Sequence, residues 1–367
     1  MWECGMIFSS LINKLLLRAR KIGKNEINVY SLENSFYAFE AKKMGMRSQL
    51  LAGDILQVQN GCQSFNIWHC GTDFDGWGSL KLAGDKSHRY ARLRQEGIPI
   101  PTHAVLKSGD YHGVMKFRQS INNSPVVIKP ARETGDGDGV CIKPEGHLET
   151  LFAVFFAGSF GRQIIVEEFR EGENYRLLYC RGKFLAASSR NPATVEGDGV
   201  HTIRRLIERM NQGRRKVGDI VAYCPETRPI LYKVPLTRET ARSLAKQRYS
   251  LDSIPPRGTI VRLQDICHWL RGGHYRDVSD VISPEIIEMG RRAAHAVGIH
   301  LAGVDVIAES ITHPFSNRFV INEVNTTPGI LIHYEIINPS CRRPVAKKLL
   351  ESFMYGSDYS AGGGFQS

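Results

Sequence analysis

The sequence predicts an α+β protein of more than one domain. Three observations carry this expectation. Short β-branched runs such as "PVVIKP", "QIIVEEF" and "RFVINEV" end in turn residues, as strands do. Between them lie stretches with helical start and stop signals. In "SPEIIEMGRRAAHAVGI", Ser283 serves as N-cap, Pro284 takes the first helical position and Gly298 closes the helix. Finally, 367 residues, 42% hydrophobic and 23% charged, suit a globular chain with a sizeable core.

The elements follow in order. "MIFSSLINKLLLRARKIGK" puts an apolar patch before its basic residues, the reverse of an export signal, and reads as an amphipathic helix. Residues 24–85 alternate apolar runs ("INVYSL", "SQLLA", "FNIWHC") with the helical "SFYAFEAKKMGM", a pattern for a small α/β unit. "DKSHRYARLRQEGIPIP" is a helix stopped by Gly97, Pro99 and Pro101. A strand at Val126–Lys129, the glycine-rich turn "ETGDGDGV", a helix over 147–157 and the strand "QIIVEEF" come next. "NYRLLYCRGKFLAASSR" is a hairpin turning at Arg181 and Gly182. Residues 212–282 are basic and loop-rich. After the Ser283-capped helix, "LAGVDVIAES" and "RFVINEV" pair across a Pro-containing turn, and the tail 356–367 is expected to be disordered.

Composition narrows the function. No apolar run is long enough to span a membrane. Eight cysteines form no C-x-x-C pair or metal spacing, which fits reduced thiols in a cytoplasmic protein. A net charge of +11 suits anionic small molecules, and without basic blocks interleaved with aromatics a nucleic-acid partner is not expected.

The strand "VINEVN" poses the sharpest question. Glu323 and Asn325 share one face, and Asp305 on the neighbouring strand can join them. Three hard oxygen ligands suit Mg²⁺; solvated acids at a sheet end would read the same. Lys129 ends an apolar strand, a costly place for an ammonium without an anion. Gly135, Gly137 and Gly139 could bring backbone N–H groups to phosphate, although an ordinary turn would look alike. The loop lacks the G-K-[ST] of a Walker motif, and no helix opens at its end. Glu167 and Glu168 precede a turn at Gly172 and a strand bearing Arg176, where an adenine edge could bind. His201 reads as a capping or packing residue.

The order of these pieces resembles the ATP-grasp superfamily over roughly residues 80–350. Within it, "IVEEFREGENYRLLYCRGKFLAASSRNPATVEGDGVHTIRRLIERMN", "YSLDSIPPRGTIVRL", "AHAVGIHLAGVDVIA" and "INEVNTTPG" are similar to the ATP-grasp domain of cyanophycin synthetase. The resemblance implies an ATP-grasp fold of two α+β subdomains clamping ATP, at 86–165 and 166–355. An N-terminal domain over 1–85 would precede them, and 212–282 would form a lid or insert. It implies a ligase that activates a carboxylate as an acyl phosphate and couples it to an amine, with amino acids or peptides as substrates and no membrane partner. A small-molecule kinase and an inactive nucleotide-binding scaffold are the competing implications. It implies ATP with Mg²⁺, or Mn²⁺ in its place, held by Asp305, Glu323 and Asn325. It implies a nucleotide site formed by Lys86, Lys129, Gly135, Gly137, Gly139, Glu167, Glu168, Arg170, Asn174 and Arg176, with Arg190, Arg271 and Lys129 acting on the reacting groups. The family's assembly makes a homo-oligomer an implied state.

Four departures accompany the resemblance. The arginine-adding, Mur-ligase-like domain of that family has no counterpart in these residues. "HWLRGG" at 268–273 replaces a polar segment and introduces Arg271. Asp136 and Asp138 enter the glycine loop, and Asn174 stands where an acid would meet ribose. Lid candidates are "ATVEGDGVH" and 212–232.

Overall fold

The computed structural model describes residues 29–51, 55–68, 70–132, 138–216, 231–265, 267, 269–312 and 319–355. The amphipathic segment near the start, Gly135, Asp136, Gly137, most of the 212–232 lid candidate, His268, the turn at 313–318 and the tail lie outside these residues. Along the chain come α1 (Val29–Lys43), β1 (Arg47–Leu50), β2 (Leu56–Asn60), β3 (Gln63–Trp68), β4 (Gly71–Thr72), α2 (Trp77–Ala83) and α3 (Lys86–Gln95). Then follow β5 (His103–Lys107), α4 (Tyr111–Ser120), β6 (Val126–Pro130), β7 (Cys141–Ile142), α5 (Gly146–Gly158) and β8 (Gln163–Glu168). The rest is β9 (Glu173–Cys180), β10 (Lys183–Asn191), β11 (Thr194–Glu196), α6 (Ile203–Asn211), α7 (Arg238–Lys246), β12 (Ile260–Arg262), β13 (His274–Asp277), α8 (Pro284–Val297), β14 (Leu301–Ala308), β15 (Phe319–Asn325), α9 (Leu331–Tyr334) and α10 (Val345–Tyr355). Among the described residues no helix is long and apolar enough to cross a membrane.

The described residues fall into two compact units. The first comprises 84–91 and 101–170; the second comprises 29–83, 92–100 and 171–355. In the first, β5, β8, β6 and β7 form an antiparallel sheet in that order. Val114 and Phe117 of α4 and Ala153, Val154 and Ala157 of α5 bury against Val126, Ile128, Ile164 and Val166. Each fully buried aliphatic side chain contributes roughly 1.5–3 kcal/mol.

The second unit is built on an antiparallel sheet ordered β13-β10-β9-β14-β15. Alternation gives it two different faces. Toward one side points Tyr179, whose hydroxyl donates to the Ile287 carbonyl of α8 at 2.7 Å. The other face carries Leu178, Cys180 and Leu301, which join a core with Phe36, Phe65, Leu331 and Leu350. There Phe36 of α1 stacks on Tyr334 of α9 at 4.2 Å.

Capping and turn chemistry appear as the sequence predicts. Ser283 accepts from the Ile286 amide, Pro284 opens α8, and Gly298 closes it in the left-handed conformation at φ 75°. Arg181 and Gly182 turn the β9–β10 hairpin with φ 47° and 72°.

Two expectations meet a different arrangement. Residues 29–83, expected to form their own α/β domain, group with the second unit. Their strands β1–β4 are an antiparallel meander, because the links between them are too short for a parallel crossover. α1 starts at Val29 and so takes in much of the "INVYSL" run. The physical reason for the grouping is apolar: Phe36, Tyr37, Val58, Phe65 and Ile67 bury in the same core as α9 and α10. The stretch 231–282, unassigned by pattern, contains α7, β12 and β13. Val195, Ile203, Ile207, Val234, Leu244, Val261 and Leu263 give it a small core of its own with α6 and β11.

Candidate active site

The first unit places the Lys129 ammonium on the Glu167 carboxylate, 2.8 Å from Oε1 and 2.7 Å from Oε2. Register explains the meeting. Lys129 pairs with Ile165 and Val127 with Glu167, so Lys129 and Glu167 point to one face of adjacent strands. Tyr90 of α3 completes the group. Its hydroxyl donates to Glu167 Oε2 at 2.8 Å and accepts from Lys129 at 3.0 Å. Burial, then the charge of Glu167, hold the Tyr90 phenol above its ordinary range, so it stays a donor. Both ionic side chains are under a tenth exposed.

The other expected nucleotide residues described in this unit make contacts of their own. Lys86 is buried in the first turn of α3, and its backbone N–H donates to the Ala131 carbonyl. Gly139 is required by packing: at φ 81°, a Cβ would lie 2.6 Å from Pro130 Cγ. Glu168 is half-buried and lies 3.8 Å from the Arg170 guanidinium.

The second unit assembles the acids. Asp305 stands directly opposite Glu323, and Gly303 opposite Asn325, so the two carboxylates and the amide share a face. A bulge follows at once, between Asp305 and Val306, where pairing skips Asn322. Across the sheet the row continues: Asp305 opposes Arg176, Arg176 opposes Ser188, and Ser188 opposes Asp277. Five strands thus contribute one polar residue each.

Asp305 is the hub. Arg176 grips it with both Nε and Nη2, the latter at 2.9 Å from Oδ2. Arg190 reaches the same Oδ2 at 3.2 Å. Asn325 Nδ2 donates to Asp305 Oδ2 at 3.3 Å and to the Gly303 carbonyl at 3.1 Å, which leaves its amide oxygen as an acceptor. Burial works to lower the Arg190 pKa, but the Asp305 charge, with smaller help from Tyr275, Cys267 and Glu323, outweighs it and raises it. Two guanidiniums and two carboxylates balance to zero. A polyphosphate arriving here would bring charge that a divalent cation must offset, and the oxygen-only set of Asp305, Glu323 and Asn325 fits a hard cation. Among the described residues no cluster of three His, Cys, Asp or Glu comes together, so carboxylate, carboxylate and amide is the donor set available.

Among the remaining expected residues, Asn174 lies on the same sheet face as Arg176. Asn174 is exposed on β9 opposite Arg190. Arg271 makes its ion pair with Glu239 of α7; both are half exposed, and neither belongs to the Asp305 group. Trp269 packs edge-on against Tyr232. The lid candidate 193–201 is anchored: Gly197 donates to Thr259, Gly199 to Pro255, and Asp198 accepts from the Val200 and His201 amides. His201 pairs with Asp198 at 2.7 Å, and the cap of α6 is its neighbour Thr202, whose side chain accepts from the Arg205 amide.

Three participants escaped the sequence reading. Tyr90 shares the start of α3 with Lys86, four residues on, and that helical spacing was the available signal. His333 is fully buried, with Nδ1 2.9 Å from Ser188 Oγ. Burial, then Arg176, push its pKa down to about 3, so it is neutral. Glu33 receives two backbone amides of the turn after β15, a contact no local pattern announces.

No protein-family model matches the chain. A cyanophycin synthetase from Trichormus variabilis is 32% identical over 296 residues, covering 80% of this chain and 32% of that protein. One from Synechocystis is 31% identical over 325 residues, covering 88% and 36%. The glutathione biosynthesis bifunctional protein GshAB of Streptococcus agalactiae is 30% identical over 326 residues, covering 81% and 42%. This chain therefore spans about a third of the cyanophycin synthetases it matches. In structure it resembles a bifunctional glutathione synthetase from Pasteurella multocida, with TM-score 0.63 at 21% identity over 90% of this chain and 45% of that one. The chain belongs to the ATP-grasp superfamily, alongside cyanophycin synthetase.

Proposed function

We propose that the chain is an ADP-forming, ATP-dependent carboxylate–amine ligase acting on amino acids or peptides. The observation that carries the reading is the charge-balanced group on the second unit's sheet, with Asp305 between Arg176 and Arg190 and with Glu323 and Asn325 beside it. Activity, substrates and partners of the relatives named above are consistent with it. The six described cysteines are unbridged, which suits a cytoplasmic setting.

A carboxylate and an amine do not condense in water, because the leaving group is poor. In the proposed reaction a carboxylate oxygen attacks the γ-phosphorus of ATP and ADP departs. The amine nitrogen then attacks the acyl carbon, phosphate leaves with the bonding electrons, and the surplus proton passes to solvent. Mg²⁺, held by Asp305, Glu323 and Asn325, would supply charge neutralisation to the transferring phosphoryl group. Arg190 keeps guanidinium hydrogens beyond its one bond to Asp305 and would hold an anionic oxygen of the substrate. Arg176, bonded to Asp305 through both Nε and Nη2, would keep that carboxylate oriented. In the first unit, Lys129 would face phosphate, with Glu167 and Tyr90 holding its ammonium in place meanwhile.

The test is ADP release across pairs of carboxylates and amines, with the product weighed by mass spectrometry. A ligase gives ADP that depends on both partners and a product lighter than their sum by one water. A stable phosphorylated product formed without an amine would make it a kinase. Nucleotide binding by calorimetry with no turnover in any mixture would make it a scaffold.

A further inference from the structure

The turn that follows β15 is held from far away. Glu33, on α1 and only 3% exposed, accepts from the Ile330 amide through Oε2 and the Leu331 amide through Oε1, each at 3.0 Å. Gly329 has no slack against it: a Cβ there would lie 2.8 Å from Glu33 Oε1 and 3.3 Å from Cys70 Sγ. The next residue back, Pro328, rests on the bare Cα of Gly303. A Cβ on Gly303 would stand 2.7 Å from Pro328 Cβ, 3.0 Å from Arg176 Cδ and 3.2 Å from Arg176 Nη1. Pro328 and the Arg176 side chain therefore crowd the same spot, and Arg176 carries its guanidinium from there onto Asp305.

We propose that Glu33 is a positioning residue for the Arg176–Asp305 pair: its carboxylate clasps the turn after β15 and so sets where Pro328 confines Arg176. The kinetic consequences rest on the ligase reading; the clasp itself does not. Two amides need two acceptor oxygens, which only the ionised carboxylate offers; protonation turns one oxygen into a donor. Burial pushes the Glu33 carboxyl up from 4.5 to about 7, although the Leu331 and Ile330 amides pull it down. Tyr37 on α1 itself acts with Glu33, Cys70 lies beside Gly329, and Cys70, Tyr334 on α9 and Cys180 on β9 surround Tyr37 in turn. None of these is a cation, and burial raises the Tyr37 phenol and moves the Cys180 thiol up to about 11. The clasp should thus tighten as pH rises through about 7. Global stability from this group moves the other way: with the folded pKa raised, its contribution is complete below about 4.5 and is lost as pH rises to about 7.

Glu33→Gln is the isosteric probe, compared with the wild-type chain at pH 6 and pH 8. At pH 8, exchange of the Ile330 and Leu331 amides and of the Arg176 Nε–H, followed by NMR and corrected for intrinsic rates, should quicken about tenfold in the variant. Its kcat should fall about tenfold at pH 8 while KM for ATP moves less than about twofold, and the gap should narrow at pH 6, where wild-type Glu33 is largely protonated. Unchanged exchange at these three positions, or a kcat deficit as large at pH 6 as at pH 8, would overturn the proposal. If the wild-type chain releases no ADP with any substrate pair, the ligase reading fails and the exchange measurement alone decides the clasp. If Glu33→Gln does not fold, Pro328→Gly removes the next link. It should quicken Arg176 Nε–H exchange while Ile330 and Leu331 stay protected, and an unchanged Arg176 would overturn the proposal.

Discussion

Lys129 with Glu167 in the first unit, and Arg176 with Asp305 in the second, are both cation–carboxylate pairs set across antiparallel strands. They differ in company. Lys129 and Glu167 are 7% and 5% exposed and share the Tyr90 hydroxyl. Asp305 is shared by two guanidiniums, one of them 29% exposed, and faces a second carboxylate and an amide. A buried pair is stable only while both partners remain, because either alone is a buried charge. A crowded, partly open group has donors and acceptors to spend on a ligand. Charge pairing on adjacent strands is common to both; exposure and surplus valence are what differ.

The largest expected effect breaks the open group. Asp305→Asn keeps the shape but leaves Arg176 and Arg190 without their main counter-charge. Turnover, read as ADP release at saturating ATP and Mg²⁺, should fall about a hundredfold or more, and Glu323→Gln should follow it. Near-wild-type turnover in both would remove these acids from the reaction.

Next comes the buried pair. Lys129→Met leaves the buried Glu167 carboxyl without its counter-charge, so denaturant unfolding should show a loss of about 3–5 kcal/mol. The double variant Lys129→Met with Glu167→Gln should recover more than half of that, since no charge then lacks a partner. Additive losses would mean that the two side chains act independently. Tyr90→Phe should cost about 1–2 kcal/mol, one buried hydroxyl bonded to two charged groups; an unchanged midpoint would show that the ammonium and carboxylate suffice.

The smallest effect is expected outside both groups. Arg271 and Glu239 are an exposed pair, so Arg271→Ala should alter stability by less than about 1 kcal/mol and leave kcat/KM nearly untouched. A raised KM for the carboxylate or amine, with KM for ATP unmoved, would restore Arg271 to the substrate site.

Much of this architecture was legible beforehand because its causes are local. The Ser283 cap, the Gly298 stop, the Arg181–Gly182 hairpin and the strands bearing Lys129 and Glu323 depend on neighbouring residues, and they lie where the sequence puts them. The approach of Asp305 to Glu323 was also readable, because two strands joined by a short connection pair antiparallel and strict alternation selects the face.

What only the tertiary structure decided is which charge meets which. Glu167, expected at the nucleotide, pairs with Lys129, and Arg176, expected there likewise, clamps Asp305. Each depends on strand register across the sheet, where a one-residue slip would turn either side chain to the opposite face. The membership of 29–83 in the second unit, and the reach of Glu33 to Ile330 across 297 residues, depend on an apolar core drawn from both ends of the described chain. Periodicity and caps show which face of an element will be buried. They carry no information about which distant element will bury it, since apolar burial is non-directional and many partners would satisfy it equally.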